Sequence, residues 1–527
     1  MSPRLSLCMI VRDEEEVLPD FLARARGLWD ELVAVDTGSR DRSVAILSAA
    51  GARVTQRAWE GDFALARNAS LEGATGDWIL VLDADEMVSP AFVAGARAAL
   101  DDPDAGAATL SLRNHLPHGH RSETRLLRAF RRHPAIRFRH AIHEDASESV
   151  QAYLRATARR LVHWGGAVDH LGYVRSRAAA RDKKARDVAI LEKCLEADPQ
   201  DLYSHYKRLE QARFWGDRPL WQRAASQAAA ALRVAPGRIA GAAFGGDLLA
   251  LIADGLHRAS PLQALGLLDA WEGRLRPSAS FYLRRGELRE VAGRADLAAS
   301  DFERCRALAG ETTNLQIATV RPTLALMRLA LARGDLAAAI AYTDEALSLA
   351  PLDPEALLAA AALRRARGGR EAVLAFAAAH ASEHGDPVEL HEAMGEEALL
   401  SGDLSSALSS LARAAGDPPQ GRAAVRLALA RLAAGSLEEA AALAAALAPS
   451  FPEAALVELL CRLCQGRDSS LEVDLDPEAA GNALRGMAAA LSRGARPEVL
   501  ARLARAAPAL GEVFPWLQAA FAPRARR

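Results

Sequence analysis

No apolar run in the chain approaches the ~18 uncharged residues of a membrane span, so a transmembrane segment is not expected. The first apolar run, Leu5–Val11, is closed at once by Arg12 and the acidic stretch Asp13–Glu16. It lacks the length and the small-residue cleavage site of a signal peptide, and it reads as a strand. Cysteine is scarce and unpatterned. Cys8, Cys194, Cys305, Cys461 and Cys464 form no disulfide framework, and no second pair or nearby histidine completes a zinc site around the Cys461/Cys464 CxxC. That pair reads as helical core one turn apart, and reduced thiols fit a cytoplasmic location, with a peripheral seat at the inner membrane left open. Net charge is nearly absent: 65 Lys and Arg against 67 Asp and Glu leave −2. This argues against a whole-chain footprint on nucleic acid or a membrane surface. No GxxxxGK[ST] loop occurs, against P-loop ATP or GTP chemistry, and no GxGxxG follows the first strand, against a dinucleotide oxidoreductase.

What is present divides in two. A chain of 527 residues exceeds one ordinary core. Up to about residue 180, strand-like runs (Leu5–Val11, Leu32–Val35, Arg53–Thr55, Trp78–Leu82) alternate with short helical segments. Asp62 and Ser89-Pro90 have the chemistry of helix starts. The alternation predicts βαβ units and an open α/β, Rossmann-like sheet with ligands at the carboxyl ends of its strands. Beyond it alanine and leucine crowd the chain, aromatics thin out, and glycines closing apolar helices recur at Gly293, Gly334, Gly368, Gly402 and Gly435. A step near 34 residues with helix, Gly turn and Ala-bearing second helix resembles the tetratricopeptide repeat, which stacks helix pairs around a concave partner-binding face. The expected division is 1–180 as the α/β domain, 181–290 as a helical connector with degenerate repeats, and 291–527 as an all-α repeat array. Trp215-Gly216-Asp217 hints at a unit within the connector. Phe514–Phe521, before the basic residues Arg524, Arg526 and Arg527, reads as a helical cap of the array rather than a membrane contact.

The strongest chemical signal is Trp78-Ile-Leu-Val-Leu-Asp83-Ala-Asp85-Glu86. An apolar strand delivers two carboxylates one residue apart, and the pleat is expected to send both to one face. Hard divalent cations, Mn²⁺ or Mg²⁺, take one or two carboxylates plus substrate phosphate oxygens. The plain alternative is an acidic loop after a buried strand. Three further motifs stand in order around it: Arg12-Asp13-Glu14 after the first strand, Val35-Asp36-Thr-Gly-Ser39 after the second, and Asp62-Phe-Ala-Leu-Ala-Arg67-Asn68 before the DxD strand. Ile136–Asp145 reads as an alternating strand ending in ionisable groups. Seven arginines lie between 121 and 140, mostly on solvated strand faces, with one or two available to phosphate.

This ordered set resembles family 2 glycosyltransferases of the GT-A fold, in particular the bacterial branch of sublancin-type S-glycosyltransferases and lipopolysaccharide-core glucosyltransferases, over residues 4 to about 175. The resemblance implies a nucleotide-sugar donor, a UDP-sugar first of all, and a cell-envelope glycan, lipid-linked or peptide acceptor. It places Asp36 at the ribose or base, and Arg67 with Asn68 beside the uracil or diphosphate, with Arg12 counted among the donor-binding residues. It puts Asp83 on the ribose or the metal and Asp85 on the metal directly. Glu144 becomes the general base, Asp145 its runner-up, and His143 a loop- or acceptor-orienting group. His170, in an H-x-G-Y element running to Tyr173, becomes a metal or pyrophosphate contact. A turn-capping Asp36 and a surface salt-bridging Arg67 are the bland readings. A non-catalytic repeat scaffold with a degenerate domain and a nucleotidyltransferase are the rival functions. The latter calls for a Gly-rich basic loop after the first strand, where this chain has Arg-Asp-Glu-Glu-Glu. The repeats are expected to dock an acceptor or a protein partner, and no nucleic acid.

Overall fold

The computed structural model describes residues 2–115, 121–170, 177–257, 260–312, 315–466 and 477–511. Gly172-Tyr173 of the H-x-G-Y element and the Phe514–Phe521 cap lie outside the described residues. The α/β part opens with β1 (Leu5–Val11), α1 (Leu18–Arg24), β2 (Glu31–Asp36), α2 (Ser43–Ala49), β3 (Arg53–Gln56), α3 (Phe63–Gly73) and β4 (Trp78–Val81). It continues through β5 (Glu86–Val88), α4 (Pro90–Ala99), β6 (Ala105–His115), β7 (Arg121–Arg131), α5 (Ser147–Thr157) and β8 (Arg160–His170). β1 and β4 read as apolar runs rather than alternations because helices cover both faces of the sheet. Phe21, Leu47 and Phe92 pack on one face, while Leu71, Val150 and Tyr153 pack on the other.

The eight strands lie in the order β3-β2-β1-β4-β7-β6-β8-β5. The first four are parallel, as the βαβ alternation predicts, with Val11 level with Asp36 and Cys8 level with Val81. Their carboxyl ends therefore share one edge. Beyond β4 the sheet is mixed: β7 runs antiparallel to β4 and β6, β8 runs parallel to β6, and β5 runs antiparallel to β8. The order also imposes a shape. β4 and β5 are four strand spacings apart, about 19 Å in a flat sheet. Only Leu82–Asp85 join them, and five extended residue steps reach about 17 Å. A hydrogen bond from Glu86 N–H to the Asp83 carbonyl (3.1 Å) shortens that reach further. The sheet must therefore curl, bringing its β5 edge round toward β4.

From α6 (Arg177–Ala197) onward the chain is helical, through α7 (Leu202–Phe214) and α8 (Arg218–Val234) to the helix Pro497–Gly511. No helix among the described residues is long and apolar enough to cross a membrane. Two compact units divide at Ala318/Thr319, so the stretch expected as a connector belongs to the same unit as the sheet. Three of the helix pairs share one joint. At Gly334-Asp335 and Gly402-Asp403 the glycine takes positive φ (77° and 84°) and the aspartate side chain caps the next helix, accepting from Ala338 N and Ser406 N. The same joint links α7 to α8: Gly216 sits at φ 64° and Asp217 accepts from Leu220 N. The degenerate unit hinted at by Trp215-Gly216-Asp217 is thus a helix pair of the same build. One glycine of the repeat series is displaced. Gly368 has φ −144°, and the left-handed residue of that break is Gly369 at 66°.

The joints differ in what surrounds them, and this gives a stability test. Gly334→Ala meets open space, so it should cost only the left-handed backbone penalty, about 1–2 kcal/mol. Gly402→Ala also sets its Cβ 2.9 Å from the Arg493 carbonyl, a backbone atom that cannot swing away. Denaturant melts of the two variants should therefore show the larger loss at Gly402. Cys461 and Cys464 are buried in the helix Pro452–Cys464 as free thiols, pushed by burial up to about 12 and about 11. They are core, as their spacing predicts.

Candidate active site

The carboxyl edge of the parallel strands is stitched together by short polar contacts. The Asp13 N–H donates to Ser39 Oγ (3.0 Å), the Arg40 N–H to Asp13 Oδ1 (2.7 Å) and the Glu14 N–H to Ser43 Oγ (2.7 Å). These bonds tie the loop after β1 to the loop after β2. Asp36, 2% exposed, accepts from the Gly38 and Ser39 amides at 3.2–3.3 Å, so its carboxylate shapes the turn that ends β2. Arg12 projects from the end of β1, half exposed, with Nε 3.9 Å from Asp13 Oδ2.

Arg67 is the hub of the site. Asp62 caps α3 by accepting from Leu65 N, which sets the helix so that Arg67 falls on its buried side. The guanidinium is 3% exposed; Nη2 lies 2.5 Å from Asp83 Oδ1 and Nε 2.9 Å from Glu144 Oε1. One cation from the DFxxARN segment thus joins the DxD turn to the loop bearing the expected base. A surface salt bridge it is not. Burial alone would lower the Arg67 pKa, but Asp83 and then Glu144 outweigh it and raise it, so the cation is locked. Burial opposes ionisation of Asp83 as well, and Arg67 followed by Arg128 holds that carboxyl well below the usual range.

Arg128 and Glu86 complete the cluster. Arg128 Nη2 lies 2.5 Å from Glu86 Oε1 and 3.8 Å from Asp83 Oδ2. Glu86 Oε2 accepts from the Asp83 N–H (3.0 Å), and burial pushes its carboxyl up despite Arg128. Sequence reasoning had no means to single out Arg128 among the seven arginines. Ala129 pairs with Ala108 and Leu127 with Thr109, so Arg128 is the extra residue of a β-bulge, and a bulge re-aims its side chain. Arg67 Nη1 and Arg128 Nε are buried donors with no acceptor among the described residues.

Asp85 lies in the turn between β4 and β5, not on the strand; β4 ends at Val81. The pleat therefore does not aim the two aspartates. The turn separates them: Asp83 faces the arginines, and Asp85 Oδ2 lies 3.6 Å from His170 Nε2. Antiparallel pairing of β5 with β8 sets Glu86 opposite His170, which delivers the ring to Asp85. Both side chains are about one-fifth exposed, at 20% and 17%. Among the described residues no three His, Cys, Asp or Glu converge as a self-sufficient metal site.

Residues 136–145 are not a strand. The alternation predicts burial correctly, with Ile136, Phe138 and Ile142 in the core, but among the described residues the segment has no ladder partner and makes a single bridge between Arg139 and Asp145. His140 and His143 turn it with φ of 72° and 52°. It is a loop pinned to α3. Asn68 Nδ2 donates to the Phe138 carbonyl, the Phe138 N–H donates to Asn68 Oδ1 (both 2.9 Å), and the Phe63 N–H donates to the Ala141 carbonyl (2.7 Å). The Asn68 amide is thus taken up by this loop. Asp145 Oδ1 accepts from Ser147 N and Oγ (3.1 and 2.7 Å) at the start of α5, apart from the Arg67 cluster. Of the two base candidates, the fold brings Glu144 to Arg67 and Asp83.

Comparison with known proteins bears on the sheet domain as a whole. Residues 6–158 match the model of glycosyl transferase family 2. A TPR repeat-containing protein of Synechococcus elongatus is 43% identical over 202 residues, 38% of this chain and 50% of that one. The SPbeta prophage-derived glycosyltransferase SunS of Bacillus subtilis is 29% identical over 90 residues, 17% of this chain and 21% of that one. The chain thus spans half or less of the length of these relatives. Among solved structures, TarS of S. aureus aligns at 18% identity and TM-score 0.31, covering 50% of this chain and 54% of that one, a likeness too slight to weigh. Residues 6–158, most of the sheet domain, thus carry the match to glycosyl transferase family 2, and tetratricopeptide-like helix pairs follow them in the chain.

Proposed function

We propose that the chain is an inverting, metal-dependent glycosyltransferase that moves a hexose-type sugar from a nucleotide diphosphate, UDP first of all, to a glycan, lipid-linked or peptide acceptor. The observation that carries this reading is the bridge from Arg67 to both Asp83 and Glu144, which gathers three separate motifs at one strand edge. The donor set fits a divalent cation. Asp83, Asp85, Glu86 and Glu144 outnumber Arg67 and Arg128, so a diphosphate alone would meet excess negative charge. Asp85 with His170 would hold Mn²⁺ or Mg²⁺, leaving coordination positions for phosphate oxygens. When bound there, the ion supplies Lewis-acid stabilisation of the departing nucleotide.

The chain's own groups do the rest. Asp83, fixed by Arg67 and Arg128, presents an ionised carboxylate to the donor ribose. Asp36, Arg12 and the turn after β2 form the nucleotide side of the edge. Arg67 Nη1 and Arg128 Nε are donors for the anionic part of the substrate. Glu144, its Oε1 fixed by Arg67, takes the acceptor proton on Oε2. Holding donor and acceptor in line contributes several kcal/mol, as oriented intramolecular reactions do. The helix pairs dock the acceptor or a partner protein.

The test is a melting and hydrolysis screen of nucleotide sugars with Mn²⁺, Mg²⁺ or chelator. One nucleotide sugar should raise the melting temperature and be hydrolysed only when metal is present. A folded protein that responds to none would move the function to a non-catalytic repeat scaffold.

A further inference from the structure

The loop that carries Glu144 is held from outside the family-matched region. His140 and His143 both adopt the left-handed backbone that L side chains rarely take, and such residues persist only where the surroundings over-determine them. The surroundings here are α7. The Tyr203 ring stacks on His140 with centroids 3.4 Å apart and planes 14° from parallel, while its hydroxyl donates to the His143 carbonyl at 2.6 Å. One side chain thus secures both unusual residues. Glu144 follows His143 directly, so its approach to Arg67 depends on this backbone.

A second contact fixes the imidazole. Trp215 Nε1–H, which can only donate, lies 2.8 Å from Gln211 Oε1. The other end of the amide is then Nε2, also a donor, and it faces His143 Nε2 at 2.9 Å. His143 Nε2 must accept, so the neutral ring carries its proton on Nδ1. Trp215 stands at the Gly216-Asp217 joint between α7 and α8, which places the first helix pair of the repeat type directly behind the loop.

We propose that α7 is a positioning element for the transfer reaction: Tyr203 and the Trp215–Gln211–His143 hydrogen-bond chain hold the 138–145 loop so that Glu144 meets Arg67. This rests on Glu144 acting as the base. Tyr203, Gln211 and His143 act as positioning residues, through the Glu144 loop.

The test uses the full chain labelled with ¹⁵N-histidine at about pH 8, above the ordinary histidine range. Ring proton–nitrogen correlations, assigned with His143→Gln, should place the His143 proton on Nδ1. Gln211→Glu offers an acceptor in place of the donor and should move that proton to Nε2. In parallel, Tyr203→Phe and Gln211→Leu should lower kcat for transfer about 10–100-fold, the usual cost of an outer-shell partner, with the donor Kd unchanged. Tyr203→Phe removes one oxygen and carries the kinetic test if Gln211→Leu does not fold. A wild-type proton on Nε2, or variants that keep both the wild-type tautomer and the wild-type kcat, would overturn the proposal. The spectra need no sugar, so an inactive wild type with the expected tautomer would sink the transferase reading and leave the loop anchoring in place.

Discussion

Asp85→Ala is expected to reduce sugar transfer by about a thousandfold, because several kcal/mol of charge stabilisation disappear with the ion and each 1.36 kcal/mol is tenfold in rate. The fold should survive. Asp85 is a turn residue whose carboxylate lies 3.6 Å from the His170 ring in a partly solvated setting. Calorimetry should show the metal-dependent part of donor affinity gone, with the melting temperature of the free protein close to wild type. A variant that still needs metal and transfers at the wild-type rate would remove Asp85 from the metal site. Asp83→Ala is a useful contrast. It strips Arg67 of a partner, so it should lose stability as well as rate.

Arg67→Met should produce the largest combined loss. The substitution keeps much of the side-chain volume but leaves Asp83 and Glu144 without their shared cation. Breaking a buried pair costs about 3–5 kcal/mol, and the lower end applies because Asp83 is 35% exposed. Transfer should fall by at least about a hundredfold, since neither carboxylate then has a fixed orientation. The loss has a pH signature. The Asp83 carboxyl is depressed in the folded state, so the pair's contribution is complete above the ordinary aspartate value near 4 and is lost as pH falls toward the lowered one. The stability gap between wild type and Arg67→Met should be constant from neutral pH down to about 5 and narrow below it. A gap that does not narrow in acid would mean that the loss comes from packing alone.

Much of this site is legible in the residues because local chemistry dictates local structure. Asp62 and Ser89 cap the helices that they precede, and Leu5–Val11 and Trp78–Val81 are buried strands ending at one edge. The Gly-Asp joints announce the helix pairs. What escapes the sequence depends on partners far along the chain. Arg128 looks like its neighbours until a bulge opposite Thr109 turns it inward. Ile136, Phe138 and Ile142 alternate like a strand because they are buried, yet among the described residues no strand pairs with them. Tyr203 and Gln211 lie 60 and 68 residues beyond His143, on a helix whose own pattern says nothing of a loop. The second half of the sheet is mixed because β7 and β5 run against the other strands, a matter of topology that strand propensity does not encode.

The curl of the sheet gives the Leu82–Asp85 turn two unrelated obligations. Its carboxylates answer to chemistry, while its length answers to geometry, since a longer link would let the β5 edge drift from β4. The two constraints come apart over descent. A lineage that abandons catalysis is free to replace Asp85, whereas Asp83 still answers to the buried Arg67, and an insertion between β4 and β5 would lift the limit that holds the sheet in its curl. Spacing here records the architecture, and letter identity records the trade.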